Sequence, residues 1–205
     1  MGLPQPIRRC TAEEYLRFEY DAEERHQFYE GEIFAMAGGS PQHSLVIANV
    51  IGALGGRLVG KPCRVYDSNL RVRIPRTTLY TYPDASVICG ELQFDSLDTR
   101  KHTVTNPTLL VEVLSPTTEG WDRGGKFQNY RRIDSLKEYV LVNSDTPLVE
   151  TFIRQATGSW MLGAFEGLDA VAQLPSLGIE LSLREIYAGI TFPPPGDAGI
   201  EARPA

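Results

Sequence analysis

One carboxylate, Glu112, interrupts the most apolar stretch of the chain, Thr108-Leu-Leu-Val-Glu-Val-Leu114. A run this short and β-branched, closed by Ser115-Pro116, reads as a strand buried on both faces. An ionised carboxylate buried there needs a cation, a hydrogen-bond network or a shifted pKa to offset its lost hydration. Twenty-eight positions earlier Asp84 follows Pro83 and opens a second apolar run, Ala85-Ser-Val-Ile-Cys89; fourteen positions later Lys126 falls in a helical segment. Two acids on neighbouring strands with an ammonium beside them are the parts of a hydrolytic site assisted by a divalent metal.

The elements that must position these groups are legible in outline. Thr11-Ala-Glu-Glu14 is a capping-box pattern and predicts a first helix to about Glu19. Arg25 to Tyr29 and Glu32 to Ala37, joined through Glu30-Gly31, predict a hairpin. Ser40 and Pro41 predict the cap and first turn of a long helix reaching about Val59, with His43, Ile47, Val50 and Leu54 on one stripe. Cys63 to Ile74 reads as extended, with Leu70, Val72 and Ile74 on one face and Arg71 and Arg73 on the other. After the Glu112 strand, a helix from about Trp121 to Ile133 and a strand Glu138 to Val142 complete a β-α-β crossover. Pro147 to Leu162 predicts a closing antiparallel pair, and Ser182 begins a final short helix. The sum is one α/β domain over residues 1–192 with a mixed central β-sheet flanked by helices, followed by a disordered Pro/Gly-rich tail, 193–205.

On the helix after Glu112, Asp122, Lys126 and Tyr130 share one face at 100° per residue, while Gln128, Arg131 and Arg132 point toward water. Lys126 therefore lies on the stripe that faces the sheet, aimed back at Glu112. There it would stabilise charge developing on a phosphate or orient an attacking water. A buried Glu112–Lys126 ion pair that only fastens helix to strand fits the same spacing.

Composition bounds the rest. The net charge of −6 over 205 residues argues against a protein that coats nucleic acid nonspecifically. The charge is uneven, however. Eight acids against two arginines lie between Glu13 and Glu32, and six bases against Asp67 lie between Arg57 and Arg76. Arg71 and Arg73 in the second stretch are the candidate contacts for a nucleic-acid backbone, with a solvated strand face as the bland alternative. Cys10, Cys63 and Cys89 lack metal-ligand spacing and read as reduced thiols. With no signal core and no membrane-length apolar run, a cytoplasmic location without membrane contact is expected.

Pro83-Asp84 followed by Glu112-Val113-Leu114 resembles the PD-(D/E)xK nuclease signature with its lysine missing from the third motif position, and Lys126 looks like the migrated lysine of such enzymes. More closely, five stretches resemble the bacterial Uma-two family, labelled restriction-endonuclease-like. They are Tyr29-Glu-Gly-Glu-Ile-Phe-Ala-Met-Ala-Gly38 with His43, Tyr82-Pro-Asp84, Val111-Glu-Val-Leu-Ser-Pro116, Asp122-Arg-Gly-Gly-Lys-Phe-Gln-Asn-Tyr130 and Glu138-Tyr-Val-Leu-Val-Asn143. The likeness covers about residues 11 to 187. It implies a restriction-endonuclease-like core and phosphodiester hydrolysis with Mg²⁺ or Mn²⁺. Asp84 and Glu112 match the metal-binding acids, Lys126 the catalytic lysine, Tyr130 the aromatic one turn later, and His43 an active-site neighbour. Where family members commonly carry Glu, this chain has Gln27, which supplies no charge; Glu30 and Glu32 are the candidate substitutes.

The leading expectation is a metal-dependent endonuclease acting on nucleic acid, DNA first, as a homodimer. The alternatives are an inactive module of the same fold that binds nucleic acid or oligomerises, and a hydrolase of a smaller phosphate ester.

Overall fold

The computed structural model describes residues 5–36 and 38–192. Its strands form two six-stranded sheets and one hairpin. The first sheet has the order β1 (Arg8–Arg9), β3 (Glu32–Ala35), β2 (His26–Tyr29), β6 (Tyr80–Thr81), β5 (Arg71–Arg73), β8 (Thr103–Val104). The second has the order β12 (Trp160–Glu166), β11 (Leu148–Arg154), β10 (Glu138–Asn143), β9 (Leu109–Leu114), β7 (Ala85–Cys89), β4 (Cys63–Asp67). The hairpin pairs β13 (Val171–Leu174) with β14 (Ile179–Ser182). The helices are α1 (Ala12–Asp21), α2 (Pro41–Leu58), α3 (Glu119–Trp121), α4 (Phe127–Tyr130) and α5 (Leu183–Ile186), with a π-helical turn, Asp122–Lys126, joining α3 to α4.

The second sheet is the expected mixed central sheet. β9 and β10 run parallel, pairing Glu112 with Leu141, and the remaining neighbours are antiparallel. Strand alternation divides its residues between two cores. Val111, Val113, Val140 and Val142 share one with Val46, Val50, Leu54 and Leu58 of α2. Leu110, Leu114, Tyr139 and Leu141 share the other with Tyr130, Ile133, and Val72 and Val104 of the first sheet. Glu112 belongs by parity to this second face. Tyr15 and Leu16 of α1 pack with Phe28, Ile33 and Tyr80 of the first sheet.

The local signals mostly hold. Thr11 and Glu14 form the reciprocal capping box, Ser40 caps α2 with Pro41 behind it, and Glu30 and Gly31 turn the β2–β3 hairpin at φ 50° and 83°. The first sheet was not foreseen as a separate layer, because β1, β6 and β8 are two residues each and carry no periodicity. The extended stretch from Cys63 to Ile74 is likewise two strands, broken by the turn at Ser68–Leu70. The β13–β14 hairpin was missed altogether. The tail from residue 193 lies outside the described residues.

Cys63 and Cys89 stand directly opposite each other on β4 and β7 and are joined in a disulfide, which corrects the reading of three separate thiols; Cys10 is free. Their separation of 26 residues hid a pairing that only strand register reveals. Among the described residues no helix is long and apolar enough to cross a membrane.

A buried carboxyl, Glu138, opens β10 on the α2 side. One oxygen accepts from the Ser176 backbone and hydroxyl, holding the β13–β14 turn, and the other has no partner. Burial pushes its pKa up to about 7. The folded protein thus keeps a proton that the unfolded chain loses as pH rises past the ordinary Glu value, and stability declines from about pH 4.5 to 7. Glu138→Gln removes that decline and raises unfolding free energy at pH 8 by about 1–3 kcal/mol relative to wild type, with little change at pH 4.5. Urea unfolding at the two pH values checks this; parallel stability curves would show the carboxyl to be indifferent.

Candidate active site

The register of the central sheet brings the two acids together. Ala85 pairs with Val111, so one step further Asp84 stands opposite Glu112. One Asp84 oxygen accepts the Val113 backbone N–H at 2.7 Å, which fixes the carboxylate against the end of β9. The first turn of α2 arrives at the same place. His43 Nε2 donates to the Val113 carbonyl at 2.8 Å and lies 3.8 Å from Asp84 Oδ2.

From the other face comes the helical segment. Lys126 Nζ lies 2.9 Å from Glu112 Oε2 and 2.8 Å from Asp122 Oδ1, and the Tyr130 hydroxyl donates to Glu112 Oε1 at 2.7 Å. Asp122, Lys126 and Tyr130 do share the inward face, as their spacing predicts, although the segment is not a regular α-helix. Gly125 explains part of the departure. A Cβ at that position would come 1.8 Å from the Trp121 ring, so the indole occupies the space a side chain would need where the helix widens into its π turn. Tyr139 donates its hydroxyl to the Asp122 carbonyl at 3.0 Å, anchoring the turn to β10.

The cluster is almost closed. The Lys126 and Glu112 side chains are 8% and 3% exposed, whereas His43 and Asp84 reach 13% and 19%. Solvent therefore meets the site at the Asp84–His43 end. Burial pushes Asp84 and Glu112 upward in pKa, and the Lys126 ammonium pulls both back. Burial also opposes the charge on Lys126, but Glu112, Asp122 and Asp84 together overcome it and raise its pKa.

Asp122 is the acid that sequence reasoning placed on the correct face and left without a role. The proposed substitutes for a third acid lie elsewhere. Glu30 sits in the hairpin turn, and Glu32 pairs with Arg9 at 2.7 Å. Gln27 is 6% exposed and its Oε1 has no partner. It shares a strand face with Tyr29, whose ring packs on Trp121 5.6 Å away.

Arg71 and Arg73 do not form an exposed rail. Arg71 is 2% exposed and donates to Thr103, Tyr82 and Asp98 inside the first sheet. Arg73 pairs with Asp95 over the Tyr80 ring. The alternation of apolar and basic residues suggested one wet face, but the α1 side of that sheet is roofed by tyrosines and acids. A second network missed in the sequence joins it: Glu19 accepts from the backbone N–H of His26 and from the Tyr82 hydroxyl, with the His26 ring 3.0 Å away.

Removing the ammonium leaves two carboxylates buried against each other. Lys126→Met is expected to cost about 3–5 kcal/mol at pH 8. The loss shrinks toward pH 5, because the raised Glu112 carboxyl takes up a proton as pH falls. Adding Glu112→Gln recovers most of the loss at pH 8. Urea titrations of the single and double variants measure the coupling, and additive losses would mean that the pair is not coupled.

A family model described as "Putative restriction endonuclease" matches residues 12–184. Two proteins of Synechocystis, both named as uncharacterized, are similar over most of their length. One, slr1290, is 36% identical over 189 residues, covering 91% of this chain and 96% of its own. The other, sll1609, is 35% identical over 160 residues, covering 78% and 89%. A crystal structure from Anabaena variabilis, titled as "a putative nuclease belonging to DUF820", shares the fold with a TM-score of 0.69 at 18% identity, over 86% of this chain and 97% of that one. The extent of these matches places the chain in the Uma2 family.

Proposed function

We propose that the protein is a metal-dependent endonuclease that hydrolyses phosphodiester bonds of nucleic acid, with DNA the first substrate to test and a homodimer the working form for cutting two strands. The observation that carries the reading is a charge imbalance. Asp84, Glu112 and Asp122 surround one ammonium, Lys126, in a nearly closed site. With all three acids ionised, two negative charges are left over, the charge of one divalent cation. Oxygen donors without paired His or Cys suit Mg²⁺ or Mn²⁺. Among the described residues no group of three or more His, Cys, Asp and Glu forms a ready-made cage. Asp84 and Glu112 would hold the ion, with water filling the remaining positions.

Bound there, the cation would supply Lewis acidity to a phosphate and lower the pKa of an attacking water. The chain's own residues do the positioning. Val113 N–H locks one Asp84 oxygen, and Tyr130 orients Glu112 from behind. Lys126 brings a positive charge to where the phosphate gains negative charge in the transition state. His43 donates through Nε2 to the Val113 carbonyl and stands 3.8 Å from Asp84, where its ring helps to shape the open end of the site.

One feature supports a second reading. Both Glu112 oxygens are already engaged, by Lys126 and Tyr130. A site that stays closed in this way would leave a module that binds nucleic acid or oligomerises without cutting.

Cleavage of DNA and RNA with Mg²⁺ or Mn²⁺, compared between wild type and Asp84→Asn, separates the two. Asp84 is the most open of the acids, so its isosteric amide is expected to fold normally and lose roughly 10²-fold or more in rate. Mn²⁺ should raise the melting temperature of wild type and not of the variant. Undiminished cutting by Asp84→Asn would discard this site, and an inert wild type that Mn²⁺ does not stabilise would favour the closed module.

A further inference from the structure

Beyond Tyr130 the chain turns outward through Arg131 and Arg132, both exposed. They meet Arg76, from the turn after β5, and Arg154, the last residue of β11, around a concavity of about 420 Å³. Trp160 forms one wall, and Asp134 is the one acid among the lining residues. That acid is already paired with Arg76 at 3.0 Å, both side chains being largely exposed.

Arg154 is held without a carboxylate. Its guanidinium donates to the carbonyls of Arg131 and Asp134, lies 4.9 Å over the Trp160 ring, and keeps an Nε–H with no partner. Arg131 and Arg132 form no ion pair among the described residues. Burial lowers the Arg154 pKa, Asp134 pulls it back, and Arg76 lowers it again. Four guanidinium groups against one acid, in a chain of net charge −6, form a local excess opposite in sign to the whole. Clustered arginines repel one another unless an anion offsets them, and planar guanidinium forks match phosphate oxygens in pairs.

We propose that this arginine concavity seats backbone phosphates of a nucleic-acid strand and leads the strand along α4. The inference rests on the nuclease reading and deepens it by placing the substrate. Arg132 also lines an adjoining groove of about 280 Å³ with Gln128, Asn129, Thr77, Thr78, Tyr29 and one acid, Glu30. Gln128 and Asn129 follow Lys126 in the same helical segment, and Tyr29 packs on Trp121 at its start. The amide and hydroxyl groups of this lining suit sugar and phosphate oxygens, with Glu30 the one group that opposes them. Two concavities that share an arginine make an extended track, which suits a polymer better than a single nucleotide. Of the basic stretch before Arg76, Arg57 pairs with Glu185, Arg64 donates to backbone carbonyls, and Arg71 and Arg73 face inward. Arg76 alone of that set joins this surface.

The test is binding without catalysis. Fluorescein-labelled single-stranded and duplex DNA are titrated by anisotropy in EDTA, in an Asp84→Asn background, across a NaCl series. Arg131→Ser with Arg132→Ser leaves the backbone acceptors of Arg154 in place; it is expected to weaken binding about tenfold and to lower the log–log salt slope by roughly two. Asp134→Asn, which frees Arg76, is expected to act in the opposite direction and tighten binding. An unchanged affinity and slope in the double variant would overturn the proposal, as would a wild-type protein that binds neither DNA. Equal competition by inorganic pyrophosphate or a free deoxynucleoside monophosphate at matched phosphate concentration would overturn the strand assignment and indicate a small phosphate site. Binding is thus read apart from cleavage: if wild type does not cut in the cleavage assay above, arginine-dependent binding would sink the nuclease reading and leave this surface standing. Cutting with arginine-independent binding would do the reverse.

Discussion

A single buried ammonium, shared between Glu112 and Asp122, is the interaction around which the structure is arranged. An isolated charge at this depth would cost several kcal/mol, so the ammonium and its carboxylates hold one another in place. Glu112 is committed by its parity in β9 to the face opposite α2. Lys126 and Asp122 must then come from an element crossing that face. The β9–helix–β10 crossover supplies it, and the parallel pairing of the two strands fixes where it crosses. Tyr130 and Tyr139 complete the enclosure, each spending its hydroxyl on the cluster.

The two faces of the central sheet divide the work. On one, α2 and the β13–β14 hairpin bury valines and leucines and bring His43 to the end of β9 through a capped first turn. On the other, the first sheet and α4 build a second core, interrupted by the charged groups of the site. Asp84 sits where the chain passes from the first sheet to the second, held by a backbone N–H of its neighbour strand. Asp84 and His43, the more exposed groups of the site, are thus carried by different elements, the β6–β7 connection and α2.

Much of this was legible in the sequence because the signals were local. Thr11 with Glu14, Ser40 with Pro41, Glu30-Gly31, and the apolar runs of β9 and β10 each name an element through its own residues. The inward stripe of Asp122, Lys126 and Tyr130 was legible too, since a π turn preserves the approximate alignment of residues four apart. What escaped was non-local. Strands of two residues have no period to detect, so the first sheet did not emerge as a layer. Arg71 looked solvated because its tyrosine and aspartate partners lie 11 and 27 residues away. Cys63 and Cys89 met through register, not spacing.

In the motif this chain resembles, the lysine would stand two residues after the glutamate, which here is Leu114, 2% exposed in the apolar core. Carrying the ammonium on the helix instead frees the strand to stay wholly apolar beyond Glu112, and it makes the charge detachable. A strand lysine leaves its site only when the sheet unfolds. A lysine on a short helical segment, entered through a π turn and two consecutive glycines, departs whenever that segment lifts. Opening it would also bare Glu112 to water, where the carboxylate ionises without a partner. Hydrogen exchange in residues 119–130 would thus report on two things at once: the helix and the integrity of the charge cluster beneath it.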